Sequence, residues 1–394
     1  DRHVPLEARP QRRVRRPLRE QAAVGADAVA AVVQRAPVAE ERRRRREPGR
    51  HLGRPRCLGH FANGRVEEFL EGHRNTTYDD VSNPTVYREI ARAVATLHTF
   101  VPPPELCGPG GHDLDAPGLW PTLRGWLAAS ATDATATAVA RDADDAKLWS
   151  ECACFRDFDA FAKVIDAAEA RLARDDLDAS LVFAHNDLTL DNVMVGPDGT
   201  VRLVDLERAP VSLSFSMYTT RNKAGRRRRR EAGRFRNGWE IDMSVSELGP
   251  YHARSGIDRF LHPRRYGGPN YAAFDVANHF WEWCGGLDDS ATPRFERYPA
   301  EATRRAWIEA LLRARAAATS GDGCGSGVVV EPAAVDRFCR AVDIFAPLDH
   351  LFWGLWAVTQ AAALNRTTGF RYLLYASHRL SHPSVAEAVE RVVS

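Results

Sequence analysis

The sequence predicts an α+β protein of two lobes, with short strands around one β-hairpin and a mainly helical C-terminal part. Three observations lead there. At 394 residues the chain is long enough for two lobes with sizeable cores. Two β-branched stretches, Val193-Met-Val195 and Thr200-Val-Arg-Leu-Val204, flank the turn Gly196-Pro-Asp-Gly199 and read as a hairpin. From Phe274 to the C-terminus the apolar residues keep helical spacing, interrupted by a Gly/Ser loop at 319–327.

The elements follow in chain order. Residues 1–56 are rich in Arg, Ala and Pro, with a run at Arg42 to Arg46, and sustain no helical or strand period. They read as a solvated, disordered arm or a defective first-lobe segment. Residues 57–72 read as a last strand and hinge of that lobe, with a turn at Phe61-Ala-Asn-Gly-Arg65 and a strand at Val66-Glu-Glu-Phe-Leu70. The second lobe then occupies 73–394. Pro84 opens a helix whose apolar stripe is Tyr87, Ile90, Ala91, Val94 and Leu97. A Pro/Gly loop fills 101–119, helical stretches follow near 120–129 and 144–173, and Leu181-Val-Phe-Ala184 reads as a strand. Residues 209–268, with a second Arg run at Arg226 to Arg230, are an atypical insertion far longer than ordinary loops.

Composition excludes several classes. The formal net charge of +2 gives no global argument for nucleic acid or an anionic membrane. The two Arg runs are explained as well by solvated arms as by nucleic-acid contacts. No apolar stretch approaches the ~20 residues of a membrane helix, and no signal-peptide core is visible. Seven cysteines, an odd number, make no disulfide framework, and Cys152-x-Cys154 lacks the second pair a zinc site needs. A cytoplasmic location is the expectation.

The segment His185-Asn-Asp-Leu-Thr-Leu-Asp-Asn192 has the form H-x-D-x-x-x-x-N, and the hairpin after it ends in Asp205. A hairpin returns the chain to its start, so Asn192 and Asp205 are expected at one open end, able to share a metal ion. Phosphoryl transfer asks for such a set: an oriented nucleophile and neutralised phosphate charge. Asp187 would orient the attacking hydroxyl, Asn192 and Asp205 would hold Mg²⁺, and His185 would brace the loop. Asp and Asn also occur at ordinary surface turns, but four polar residues at this spacing before a hairpin ending in Asp favour the catalytic reading.

Two further segments stand out. One is Asn270-Tyr-Ala-Ala-Phe-Asp-Val-Ala-Asn-His-Phe-Trp-Glu282, the other Phe352-Trp-Gly-Leu-Trp356 with Gln360, Tyr372 and Tyr375 after it. Aromatic residues at helical spacing are more often core than ligand box. A carboxylate beside aromatic faces is nevertheless what an ammonium cation needs.

At these three segments the chain resembles the choline/ethanolamine kinases. H-N-D-L-x-x-x-N with D-x-E is matched from His185 to Asn192 and at Asp205-Leu-Glu207, N-Y-x-x-[FY]-D-[IV]-[GA]-N-H-F-x-E from Asn270 to Glu282, and F-W-G-L-W-x-[IV]-x-Q-A from Phe352 to Ala361. The likeness covers roughly 56–208 and 269–382. It implies a protein-kinase-like two-lobe fold that uses ATP with Mg²⁺ to phosphorylate ethanolamine or choline, the first step of the CDP-ethanolamine or CDP-choline route to phospholipids. Glu67, Glu68, Phe69 and Leu70 would form the hinge beside the adenine. Glu282, Trp353, Trp356 and Tyr375 would line the amino-alcohol pocket. Asn83 to Arg92 and Gly285 to Pro299 look closer to ethanolamine kinases. A homodimer is left open.

Three departures accompany the resemblance. Residues 1–56 contain no clean phosphate-covering loop and no Lys, the insertion at 209–268 is foreign to the family, and Arg208 replaces an aromatic residue. The two Arg-rich segments fit a shifted reading frame or retained intron as well as an insertion, so the first lobe is expected to be incomplete or aberrant. The competing readings are a catalytically impaired pseudokinase or nucleotide- or amine-binding protein, and an aminoglycoside-type phosphotransferase. The last shares the hairpin but not the Trp353/Trp356 box.

Overall fold

The computed structural model describes residues 55, 57–61, 64–102, 113–174, 176–206, 232–234, 240–242, 267–288, 290–320, 329–364 and 368–393, with backbone alone at 57–67, 232–234 and 240–242. The expectations for nearly all of 1–56, for Glu207 and Arg208, and for nearly all of 209–268 lie outside these residues.

Strand β1 (Cys57–Phe61) pairs antiparallel with β2 (Gly64–Glu67), Phe61 opposite Gly64. The strand expected to reach Leu70 stops at Glu67, because the Leu70 carbonyl already closes a turn by accepting from His73 N at 3.2 Å. Next come β3 (Arg74–Asn75) and the short α1 (Tyr78–Ser82), which opens on a reciprocal cap between Thr77 and Asp80.

Helix α2 (Pro84–His98) starts where a side-chain cap and a first-turn proline coincide: Asn83 Oδ1 accepts from Thr85 N at 2.9 Å. Its stripe Tyr87, Ile90, Ala91, Val94 and Leu97 is buried, as its spacing predicts. Then come α3 (Leu119–Ser130), α4 (Asp133–Val139), α5 (Ala143–Glu151) and α6 (Phe158–Leu172). The single helical stretch expected over 144–173 is therefore broken. Cys152 turns extended (φ −83°, ψ 118°), and Trp149 stacks on Phe155 at 4.8 Å across the bend. An aromatic contact interrupts the helix where no Gly or Pro announces it.

Strand β4 (Leu181–Ala184) is followed by the hairpin strands β5 (Val193–Val195) and β6 (Val201–Leu203). Sheet order is β3-β5-β6, all antiparallel, with Val193 opposite Leu203. Gly199 closes the turn at φ +80°, a region L-residues with side chains seldom occupy. A separate hairpin joins β7 (Ala232–Arg234) to β8 (Glu240–Asp242). Strand β9 (Gly268–Tyr271) pairs antiparallel with β4, Ala184 opposite Gly268.

The rest is helical: α7 (Ala272–Glu282), α8 (Glu301–Ser320), α9 (Pro332–Leu364), α10 (Tyr372–Leu380) and α11 (Pro383–Val393). Every residue of α7 is buried. Gly354 lets α9 and α10 approach, since a Cβ there would lie 2.6 Å from Leu380 Cδ2. The result is an α+β chain, mostly helical with small sheets, as predicted. It divides into two compact units: β1, β2, β7, β8 and Glu68 belong to one, and Pro55 and the remaining described residues to the other. Among the described residues no helix is long and apolar enough to cross a membrane.

Candidate active site

The loop between β4 and β5 carries the H-x-D-x-x-x-x-N motif, and each of its turns is held. His185 is fully buried; its Nε2 bonds the Val204 carbonyl at 2.8 Å, tying the start of the loop to the end of β6. Asn192 donates through Nδ2 to both the Asp187 carbonyl (2.8 Å) and Asp187 Oδ2 (3.0 Å), fixing the carboxylate's orientation. The far end of the loop is tied to β3 and the residue after it: Asn75 Nδ2 donates to Asp191 Oδ1 at 2.8 Å and Thr76 Oγ1 to the Leu190 carbonyl at 2.9 Å.

Helix α7 supplies the deeper anchors. Asp275, fully buried, accepts from His185 N (2.9 Å), Asn186 N (2.7 Å) and His98 Nε2 (2.8 Å). Two successive amides can converge on one carboxylate because Asn186 sits at φ +66°. Burial pushes the Asp275 carboxyl up, but the His98 bond and its neighbours outweigh that and hold it below the ordinary range. Burial lowers His98 in turn. The pair is a neutral imidazole donating to a carboxylate.

One turn further, Asn278 Oδ1 accepts from Leu188 N at 2.7 Å. His279 Nε2 accepts from Trp283 Nε1 at 3.3 Å, so its proton is on Nδ1, which meets the Leu188 carbonyl at 3.3 Å. Burial lowers the His279 pKa to about 4, so it too is neutral.

Replacing Asp275 by Ala leaves three buried donors unmatched, each costing ~1–3 kcal/mol. The expected outcome is a loss on the order of 3 kcal/mol or more in denaturant unfolding. A loss below about 1 kcal/mol would show that the anchors are redundant.

The same helix leads to a second group of side chains. Asn278 Nδ2 donates to Asp349 Oδ1 at 3.1 Å, and Asp349 forms a fully buried ion pair with Arg379. The Arg379 guanidinium lies over the Tyr375 ring, 5.7 Å from its centroid. Glu282 is buried, and its carboxyl is pushed up to about 8, first by burial; Arg379 opposes the rise, and Asp349, Asp187 and Asp191 add to it. Glu282, Tyr375 and Asp187 are therefore within electrostatic reach of one another. Trp353 and Trp356 meet edge to face at 5.4 Å, and Trp356 meets Tyr372 at 5.6 Å. Trp353 is buried in the main core, whereas Trp356 is half-buried at its margin.

Two residues with oxygen-bearing side chains, Asn192 and Asp205, flank the hairpin. The Val204 amide donates to the Asn192 carbonyl at 3.0 Å, so Asn192 and Asp205 follow each other across the open end of the hairpin. The Asn192 amide nitrogen is committed to Asp187, so Oδ1 is the atom through which Asn192 would meet a cation. Asp205 sits at φ +62°, a strained setting that occurs at functional positions. An amide oxygen and a carboxylate suit Mg²⁺.

The sequence thus named His185, Asp187, Asn192, Glu282, Trp353, Trp356 and Tyr375 in one compact unit. Of the proposed hinge, Phe69 is exposed, Glu68 and Leu70 are half-buried, and Glu67 is described in backbone only. Sequence reasoning missed Asp275, Asn278, His279, Asp349 and Arg379 as site residues. A signal existed for the first three: Asp275, Asn278, His279 and Glu282 form a polar stripe at helical spacing on an otherwise apolar segment. Arg379 resembles any cation in a last helical turn.

A sequence profile described as choline/ethanolamine kinase matches residues 49–216 and 265–383. The chain belongs to the choline/ethanolamine kinase family. Among curated proteins it is 24% identical over 331 residues to a choline kinase of Saccharomyces cerevisiae, covering 79% of this chain and 50% of that one. A probable choline kinase of Arabidopsis thaliana is 26% identical over 333 residues, covering 82% and 67%. An ethanolamine kinase of Mus musculus is 35% identical over 117 residues, covering 29% and 26%. The chain thus spans about half the length of the yeast relative. Among solved structures, a choline kinase from Cryptosporidium parvum superposes with TM-score 0.53 at 20% identity, covering 86% of this chain and 74% of that one. An ethanolamine kinase from Plasmodium vivax gives TM-score 0.51 at 18% identity, covering 85% and 69%. These two likenesses speak to the fold.

Proposed function

We propose that the chain transfers the γ-phosphoryl group of ATP to the hydroxyl of a small amino-alcohol, ethanolamine or choline, at the head of phospholipid head-group synthesis. The observation that carries this reading is the buried Asp187 carboxylate, held by Asn192 Nδ2 at 3.0 Å on a loop that is pinned to the helix ending in Glu282. The hydroxyl is oriented by Asp187, whose carboxylate Asn192 holds in place. The ammonium end sits against Glu282, with Tyr375, Trp353 and Trp356 offering aromatic faces. Asp349 neutralises Arg379, which would otherwise repel the cation. Glu67, Glu68, Phe69 and Leu70 are assigned to the adenine, in a two-lobe arrangement. Asn192 and Asp205 would hold Mg²⁺, which supplies charge neutralisation on the phosphates. The sequence likeness at Asn83 to Arg92 leans the substrate toward ethanolamine.

Two outcomes are expected here. Trp356→Ala should raise the amino-alcohol KM roughly 2- to 30-fold while barely moving the ATP KM, with choline hurt at least as much as ethanolamine, because a quaternary ammonium has no N–H to donate. Parallel changes in both KM values in steady-state kinetics would return Trp356 to the core. Asn192→Ala and Asp205→Ala should both lose Mg²⁺-dependent turnover, and added Mg²⁺ should rescue Asn192→Ala further, in part, since the metal loses a neutral ligand there and a charged one in Asp205→Ala. Mg²⁺ titrations that leave both defects untouched would separate these residues from a shared metal.

A further inference from the structure

The end of α2, the outer part of β4 and one face of α8 enclose an open pocket of about 570 Å³, within the size range of small-molecule sites. No residue of the catalytic loop His185–Asn192 lines it. Its walls are largely apolar, with Phe100, Val101, Val182, Phe183 and Leu312 contributing. Among the polar groups at the pocket is one cation, Arg315 of α8.

That cation is poorly matched. Arg315 is half-buried, and among the described residues its Nη1 has no hydrogen-bond partner and its Nη2 makes only a long 3.4 Å bond to Ser180 Oγ. Arg124, Arg305 and Arg379 each meet a carboxylate. Asp178 lies close enough to act on Arg315 through its charge, but its Oδ1 accepts from Ser180 N at 3.1 Å, and no ion pair joins it to Arg315. His98 at the pocket is neutral and gives its Nε2 to Asp275. A half-buried guanidinium beside apolar walls lacks the planar partner its geometry favours.

We propose that this pocket binds a monocarboxylate with a hydrocarbon body, its head on Arg315 and its chain along Phe100, Val182 and Leu312. The nearby Asp178 and the absence of a second cation among the lining residues disfavour a phosphate dianion. The ligand is chemically unlike an amino-alcohol, so the inference stands apart from the proposed reaction and is read by binding alone.

The test is calorimetric titration of the full chain with decanoate below its micelle concentration, and with decanol as the uncharged counterpart. The expected result is one decanoate per chain, bound more tightly than decanol. Arg315→Gln should weaken decanoate about 10- to 100-fold and leave decanol unchanged, and Ala316→Trp, on the wall, should abolish both. Undetectable decanoate binding, equal affinity for decanoate and decanol, or binding that survives Ala316→Trp would overturn the proposal. The comparison of the two ligands on the unaltered chain decides the matter even if Arg315→Gln fails to fold.

Discussion

Asp187→Asn should lower kcat by roughly 10²- to 10⁴-fold, the range a positioned general base contributes, while leaving the unfolding midpoint nearly unchanged. The substitution keeps the shape of the side chain and removes the charge that orients the hydroxyl. Asp187 is buried, and Asn192 Nδ2 donates to its carboxylate at 3.0 Å, a bond that the amide oxygen of an Asn can still accept. The loop keeps its backbone anchors to Asp275 and Asn278. A variant that turns over at the parental rate would remove Asp187 from the chemistry. One that unfolds instead would assign it to the framework.

Glu282 should carry the second large effect, and one that depends on pH. Its carboxyl is pushed up to about 8, so the unliganded site holds it mostly protonated at pH 7. An ammonium favours the charged form, so binding lowers that pKa and releases a proton. Affinity for the cation therefore rises with pH, by up to about tenfold per pH unit, and levels off above pH 8. Choline isolates this effect because its ammonium does not titrate. Glu282→Gln should raise the choline KM roughly 30-fold or more above pH 8 and erase the slope below it. A choline KM that is flat between pH 6 and 9 in the parent chain would place the cation elsewhere.

How far the sequence could be read depended on where each structural cause resides. Helix α2 was legible because its cap, first-turn proline and apolar stripe are all local. The β5–β6 hairpin was legible for the same reason, since Pro-Asp-Gly and its β-branched flanks sit within a dozen residues. The break between α5 and α6 was not, because it rests on Trp149 stacking against Phe155 and not on a helix-breaking residue. The pairing of β4 with β9 joins strands far apart in sequence, so neither strand's composition identifies the other.

Within the candidate site, motif spacing exposed the residues that the proposed reaction sets against substrate and hid those that hold them. Asp275 acts on backbone amides of His185 and Asn186, and an amide proton has no residue identity to betray its partner. The Asn278–Asp349–Arg379 chain was hidden because three helices must pack before its members meet.

The most direct test of the central claim is ³¹P NMR of the full chain incubated with ATP and Mg²⁺, with ethanolamine and choline in separate samples. The account predicts a phosphomonoester signal that grows only when an amino-alcohol is present, in step with ADP, and that disappears in Asp187→Asn. ATP conversion to ADP and inorganic phosphate without that ester, or no turnover with either amino-alcohol, would contradict it.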